Sequence, residues 1–277
     1  MAARPAPATL LPLPEATPTF EAPASWRAID FLSDLHLAAT TPRAFEAWAA
    51  HLRQTRADAV FILGDLFELW IGDDIGEQAF ESRCVDVLKE AATRRTIAFM
   101  PGNRDFLVGD ALLEQSGVMR LHDPTVISAF GQRLLVSHGD ALCLDDVGYQ
   151  RFRRVVRHPT SKRAFLALPR PWRDVAGRAV RRRSGREHGT ARATVVDVDA
   201  AAVLAWLEGA NAPTLVHGHT HAPARHELAP GRSRVVLSDW DLDAAEPPRA
   251  DVLRWQAGGL ERIRPEGGAT SEGGAST

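Results

Sequence analysis

The sequence predicts an α/β fold in which two sheets form a sandwich flanked by helices, with a basic amphipathic helical insertion. Three observations carry this. Short apolar runs alternate with helical patterns in the first hundred residues, each run ends in a polar cluster, and one strongly cationic segment interrupts the later chain. Short continuous apolar runs read as strands buried on both faces, and helices between them imply an α/β sheet.

In chain order, residues 1–25 carry six prolines among Ala and Thr, which interrupt every apolar stretch. No secretory signal fits there, and the composition predicts a disordered tail. Ala28–Ser33 is the first strand and runs into Asp34. Pro42–Arg56 and Gln78–Thr93 have helical patterns. Between and after them, Ala59–Leu63 runs into Gly64-Asp65, and Thr96–Met100 runs into Pro101-Gly102-Asn103. Leu134–Ser137 runs into His138, and Thr214–Val216 into His217-Gly218-His219. The candidates Thr125–Phe130, Arg133–Ser137, Arg234–Ser238 and Asp251–Arg254 predict a second sheet with hairpins. Residues 26–265 therefore read as one domain, and the Gly/Ser/Thr-rich end, 266–277, as a second disordered tail.

Residues 151–192 differ from the rest. Apolar residues from Phe152 to Val180 recur at helical intervals, and Pro159, Pro169 and Pro171 divide them into two or three short helices. The chain of 277 residues has a net charge of −2, yet this segment holds 14 Arg or Lys against Asp174 and Glu187. It is therefore +12, and the remainder −14. Such asymmetry points to nucleic acid or a membrane surface. The segment's aromatics, Phe152, Phe165 and Trp172, suit an apolar face better than a base-stacking platform. An interfacial helix on an anionic membrane is expected, and no nucleic acid. Of the 33 basic residues 31 are Arg, so no single Arg is a signal of bidentate recognition. No apolar run approaches the 18 or so residues of a membrane span. Two cysteines suggest a reducing compartment.

The strand-end clusters carry the chemistry. Asp34-x-His36, Gly64-Asp65, Gly102-Asn103, His138 and Gly218-His219-Thr220-His221 offer two carboxylates, one amide oxygen and four imidazoles. Mixed N/O donors suit Mn²⁺, Fe²⁺ or Zn²⁺. Seven donors exceed one shell, so two metals sharing a carboxylate are expected, a pair that can hold a bridging hydroxide for phosphoryl displacement. Alternation along a strand is expected to put Asp34 and His36 on one side.

In this order the motifs resemble the calcineurin-like metallophosphoesterases, from residue 28 to about 240. The resemblance implies one metal on Asp34, His36, Asp65 and His221, a second on Asp65, Asn103, His138 and His219, and Asp65 as the bridge. One departure is informative. Most relatives carry Gly-Asn-His, whose His can protonate a leaving alcohol; here the motif is Gly102-Asn103-Arg104-Asp105. A phosphate leaving group has a second pKa near 6 and departs unprotonated. Arg104 cannot act as an acid but can clamp a phosphate, so pyrophosphate cleavage is favoured.

Longer words, FILGDLFELWIGDD at 61–74, GNRDFL at 102–107, HGDALCLDD at 138–146, GYQRF at 148–152 and HGHTH at 217–221, are similar to the UDP-2,3-diacylglucosamine pyrophosphatase subfamily of lipid A biosynthesis. Glu68 is part of that pattern. The resemblance implies hydrolysis of UDP-2,3-diacylglucosamine to UMP and 2,3-diacylglucosamine 1-phosphate with two Mn²⁺, at the cytoplasmic face of the inner membrane. It also implies a helical insertion holding the acyl chains. Asp65, Arg104 and His219 are the catalytic candidates. Asn103, Arg104, Asp146, Ser184, His188 and His219 are the substrate-contact candidates, with Ala191 at a further contact position and Arg192 as a substitute cation. The rival readings are a hydrolase of another nucleotide diphosphate or polyphosphate, and a non-enzymatic binding module.

Other residues receive plainer readings. His51, His122, His158 and His226 read as structural or surface residues, and His217 as a strand-end residue facing away from the ligands. Asp105 and Asp140 are expected to bond the loops or ligands. Asp73 and Asp74 either do the same or turn the chain. Phe67, Trp70, Cys84 and Cys143 read as core.

Overall fold

The structure, a computed structural model, describes residues 11–189 and 196–267; the side chains of 182–189 lie outside that description. Along the chain come β1 (Thr19–Glu21), β2 (Ile29–Leu32), α1 (Pro42–Gln54), β3 (Ala59–Leu63), α2 (Ala79–Ala92), β4 (Thr96–Met100), α3 (Asp110–Ser116), β5 (Met119–Arg120), β6 (Thr125–Ala129) and β7 (Gln132–Ser137). Three helices follow, α4 (Val147–Val156), α5 (Pro159–Leu166) and α6 (Arg170–Gly189). The chain closes with α7 (Ala200–Gly209), β8 (Thr214–His217), β9 (Ala224–Ala229), β10 (Arg232–Val236), β11 (Val252–Gln256) and β12 (Gly259–Ile263).

Two six-stranded mixed sheets form the predicted sandwich, in the orders β12-β11-β2-β3-β4-β5 and β1-β6-β7-β8-β10-β9. The first is parallel from β2 to β5. Its strands read as unbroken apolar runs because both faces are covered. Phe31, Phe61 and Ala98 stand side by side and fill the space between the sheets, while their neighbours Leu32, Ile62 and Phe99 face the outer helices. Helix α7 covers the opposite face, with Val203, Trp206 and Leu207 against Leu135 and Leu215. The carboxyl ends of β2, β3, β4, β7 and β8 thus share one rim, where such sheets place their sites.

Four expectations need correction. Asp251–Arg254 belongs to the first sheet: β11 lies antiparallel on β2, with Leu253 opposite Phe31. The described part of the 1–25 segment is placed rather than disordered. β1 adds a parallel edge to β6, and Leu11 and Leu13 pack beneath α7; prolines are compatible with an edge strand, where they leave no ladder bond unmade. At the other end Glu266 is anchored, its N–H donating to His51 Nδ1 (3.1 Å) and its carboxylate pairing with Arg254 (2.9 Å). The insertion is three helices and begins at Val147, four residues before 151, because Asp146 caps α4 by accepting the Tyr149 N–H at 2.8 Å. Pro159 and Pro171 lie in the first turns of α5 and α6, where a missing N–H costs nothing. Among the described residues no helix is long and apolar enough to cross a membrane.

Candidate metal centre

The seven expected ligands converge just beyond the strand ends. The loops that carry them are knitted together past the sheets. Asp34 N–H donates to the Gly64 carbonyl (3.1 Å), His36 N–H to that of Asp65 (3.0 Å), and Gly218 N–H to that of His138 (3.0 Å). Seven non-glycine residues with positive φ occur among the described residues, and five are expected ligands: Asp34, His36, Asp65, His219 and His221. Such left-handed conformations are costly and collect at functional sites. They also correct one expectation. Asp34 and His36 lie beyond β2 with φ of 54° and 49°, so they share a side through this local turn and not through strand alternation. Two glycines let the loops close in. A Cβ on Gly102 would collide with Asp65 Oδ1, and one on Gly218 with Asp34 Oδ2.

The donors form two groups. In the first, His36 Nε2 lies 3.3 Å from His221 Nε2, which is 3.3 Å from Asp34 Oδ1. In the second, Asn103 Oδ1 lies 2.9 Å from both His138 Nε2 and His219 Nδ1. Asp65 stands between them: Oδ2 is 4.0 Å from His36 Nε2, and Oδ1 is 3.7 Å from His138 Nε2. With His138 neutral, Nδ1–H donates to the Leu63 carbonyl at 3.0 Å, so the Nε2 lone pair meets the Asn103 oxygen. Asp34 Oδ2 accepts from Ser33 Oγ (2.6 Å) and the His219 N–H (2.9 Å), whereas its buried Oδ1 has no donor. With its rings neutral the centre sets lone pairs against one another, an arrangement that a divalent cation resolves, and the donor set fits such ions.

The field points the same way. Burial opposes a charge on His138, yet the Asp65 and Asp34 carboxylates push it up to about 9, so positive charge is welcome there. Burial would raise Asp34, but the His221, His138 and His36 rings hold it well below the usual carboxylate range. Burial and the nearby His138 hold His219 down at about 4, which leaves a neutral ring able to ligate. Asp105 accepts N–H bonds from Gly102 and Leu66 (both 2.7 Å) and ties two ligand loops together. Burial and Asp65 push its carboxyl up to about 7.

The remaining candidates are scattered in role. Arg104 donates its backbone N–H to Asp65 Oδ1 (2.8 Å), and its side-chain Nε is buried without a partner. Asp146 caps α4. Ser184 and His188 lie on α6 with side chains outside the described part, and Ala191 and Arg192 lie outside the described residues. His217 faces away, donating from Nδ1 to the Gly218 carbonyl (2.9 Å) and reaching Arg234 (3.3 Å). Asp73 turns the chain, accepting from Trp70 Nε1 (3.1 Å) and Gly109 N–H (2.8 Å), while Asp74 pairs with Arg173. Phe67, Trp70, Cys84 and Cys143 are core, and burial pushes the Cys143 thiol up to about 12.

Several partners were not foreseen. Asp140 accepts from Tyr149 Oη (2.6 Å), Arg153 Nε (2.8 Å) and Arg157 (3.0 Å), so it anchors α4 rather than a ligand. Arg157 also donates to the Gly102 carbonyl at 2.9 Å, and the Tyr149 ring stacks on His219 with centroids 6.0 Å apart. Glu68 Oε2 lies 3.1 Å from His36 Nδ1, and its other oxygen 2.6 Å from Arg181 Nε on α6. Burial would raise Glu68, but His36, Arg104 and Arg181 bring it down to about 2. Four of the insertion's basic residues, Arg153, Arg157, Arg173 and Arg181, are thus paired with carboxylates. GYQRF counted only as part of the resemblance and gave Tyr149 no role of its own; nothing local announced Arg157 or Arg181.

The apolar residues of the insertion have the opposite fate. Every large hydrophobic side chain that is exposed among the described residues lies between Val147 and Val180, with Trp172 68% and Val155 62% exposed. Exposed apolar area of this extent marks an interaction surface.

Comparison with known proteins completes the picture. The calcineurin-like phosphoesterase family model matches residues 28–223. A UDP-2,3-diacylglucosamine hydrolase of Chromobacterium violaceum is 43% identical over 216 residues, 77% of this chain and 90% of that protein. Hydrolases of the same name from Ralstonia nicotianae and Pseudomonas aeruginosa are 42% and 41% identical, covering 83% and 76% of this chain and 90% of each relative.

Proposed function

The chain belongs to the calcineurin-like phosphoesterase family, and on that premise we propose that it hydrolyses the pyrophosphate bond of UDP-2,3-diacylglucosamine, a step of lipid A biosynthesis, releasing UMP and 2,3-diacylglucosamine 1-phosphate. The observation that carries the reading is the juxtaposition of a seven-donor centre with an insertion whose apolar side chains face outward. The relatives named above supply the substrate.

Asp34, His36, Asp65 and His221 would hold one divalent cation, and Asp65, Asn103, His138 and His219 the other; Mn²⁺ is the proposed ion, with Fe²⁺ or Zn²⁺ as alternatives. When bound, such a pair supplies charge neutralisation and activation of water. Ser33 Oγ and the His219 N–H fix the Asp34 carboxylate. The Leu63 carbonyl fixes the His138 ring. Arg104 offers fixed positive charge beside Asp65 to the scissile phosphates, and UMP needs no proton to depart. Asn103, His219 and Asp146 would contact the substrate head, with Ser184 and His188 further along α6.

The apolar faces of α4 to α6 would hold the acyl chains. Exposed Arg151, Arg154, Arg163 and Arg178 on the same helices would rest on an anionic membrane surface, placing the protein peripherally on the inner membrane. UMP release from the diacylated substrate, with Mn²⁺ and with EDTA, tests the proposal against an unacylated UDP-sugar. Mn²⁺-dependent release from the diacylated substrate alone is expected. Equal turnover of both substrates would move the assignment to a general nucleotide diphosphate hydrolase.

A further inference from the structure

Helix α6 lies across the segment Glu68–Asp74, which leads directly out of the Asp65 loop. Three contacts align them in opposite directions. Arg173, itself buried, donates to the Ile71 carbonyl (2.6 Å) and pairs with Asp74. One turn on, a Cβ at Gly177 would come within 2.9 Å of Ile71 and 3.1 Å of Leu69, so the helix backbone approaches the segment closely there. One turn further, Arg181 Nε reaches Glu68 Oε1 at 2.6 Å. The other Glu68 oxygen stands 3.1 Å from His36 Nδ1, at hydrogen-bond distance though bent from the ideal line, and that buried nitrogen has no other partner. The opposite ring nitrogen of His36 faces His221. A carboxylate on the far nitrogen of a ligating imidazole fixes its tautomer and raises its basicity.

We propose that Glu68 is a positioning residue for His36, and that Arg181, by holding Glu68 from the insertion, couples the docking of α6 to metal capture at the centre. This rests on the reading of His36 as a ligand. Coupling of this kind is reciprocal: a docked helix favours the metal, and the metal favours a docked helix. An ordinary exposed ion pair between Arg181 and Glu68 would do neither.

The test uses Mn²⁺ alone, without substrate. Chelator competition should show Glu68→Gln binding one of two Mn²⁺ ions roughly ten- to a hundredfold more weakly than the native chain. Arg181→Ala should show part of that loss, and Arg181→Lys should restore it. Saturating Mn²⁺ should slow amide exchange over residues 170–181 in the native chain but not in Glu68→Gln. Native Mn²⁺ affinity in both Glu68→Gln and Arg181→Ala, or exchange in α6 indifferent to Mn²⁺, overturns the coupling while leaving the metal centre standing. A native chain that binds no Mn²⁺ would overturn the proposed function together with it.

Discussion

Helix α1 buries six of its thirteen residues against the first sheet, whereas α4 and α5, with a comparable mixture of apolar and basic residues, bury none. The two regions answer to different partners. In the sandwich, apolar periodicity closes an internal core. In the insertion the polar and basic side dominates the contacts with the sandwich, through Asp140, Asp74 and Glu68, and the apolar side is left outward. Amphipathicity alone does not say which face turns inward; the partners available beneath the helix decide it.

The largest expected effect separates the regions by chemistry. Asp65→Ala should reduce UMP release from any pyrophosphate substrate by at least about a thousandfold, since several kcal/mol of charge stabilisation depend on its position between the two donor groups. Trp172→Asp should instead lower kcat/KM on the diacylated substrate by about ten- to a hundredfold, from about 1.5–3 kcal/mol of lost apolar burial, and leave Mn²⁺ binding unchanged. If both variants lost metal binding and turnover alike, the division between regions would fail.

A smaller effect probes the seam. Gly177→Val adds a side chain where a Cβ already meets Ile71 and Leu69, and overpacking costs about 1–3 kcal/mol. Faster amide exchange in α6 with an unchanged melting temperature is expected; a matching loss of global stability would mean that the insertion is part of the sandwich's cooperative unit. The smallest effect concerns the sandwich alone. Burial would raise Asp30, but Arg254, His51 and Thr55 bring it down from 3.8 to about 2. Its contribution, about 2 kcal/mol, is therefore complete above pH 4 and is lost as pH falls through 2. Urea unfolding between pH 5 and pH 2 should show that slope, and Asp30→Asn should flatten it.

The fold class was legible, and the seven candidate donors could be singled out, because Asp34, Asp65, Asn103, His138 and His219 end an apolar run or sit beside a glycine at a strand end, with His36 and His221 two residues on from Asp34 and His219. The eight strands that were read, such as Ala59–Leu63, told their boundaries to within two residues, whereas β1, β5, β9 and β12 were not read at all. What stayed hidden was pairing at a distance. Asp251–Arg254 reads as a strand, but nothing in four residues says that Leu253 will face Phe31 more than two hundred positions away. Arg181 looked like one arginine among three, and its meeting with Glu68 depends on how a helix lies across a loop. The short α3 and the uniformly apolar α7 lacked a periodic contrast by which to be seen. The left-handed turns at Asp34 and His36 escaped because non-glycine residues give no compositional sign of positive φ.

The position of the centre at the rim of both sheets has a consequence for how the protein holds together. Asp34, His36, Asp65 and Asn103 follow strands of the first sheet, and His138, His219 and His221 follow strands of the second. Each proposed ion would therefore be a rivet through two layers, joining side chains that the backbone reaches by separate routes. Ions that bind only the folded chain add to its stability by mass action, about 4 kcal/mol at a thousand times the dissociation constant. Melting temperature would then serve as a gauge of occupancy, and scarcity of the ion would weaken the scaffold as well as silence the chemistry.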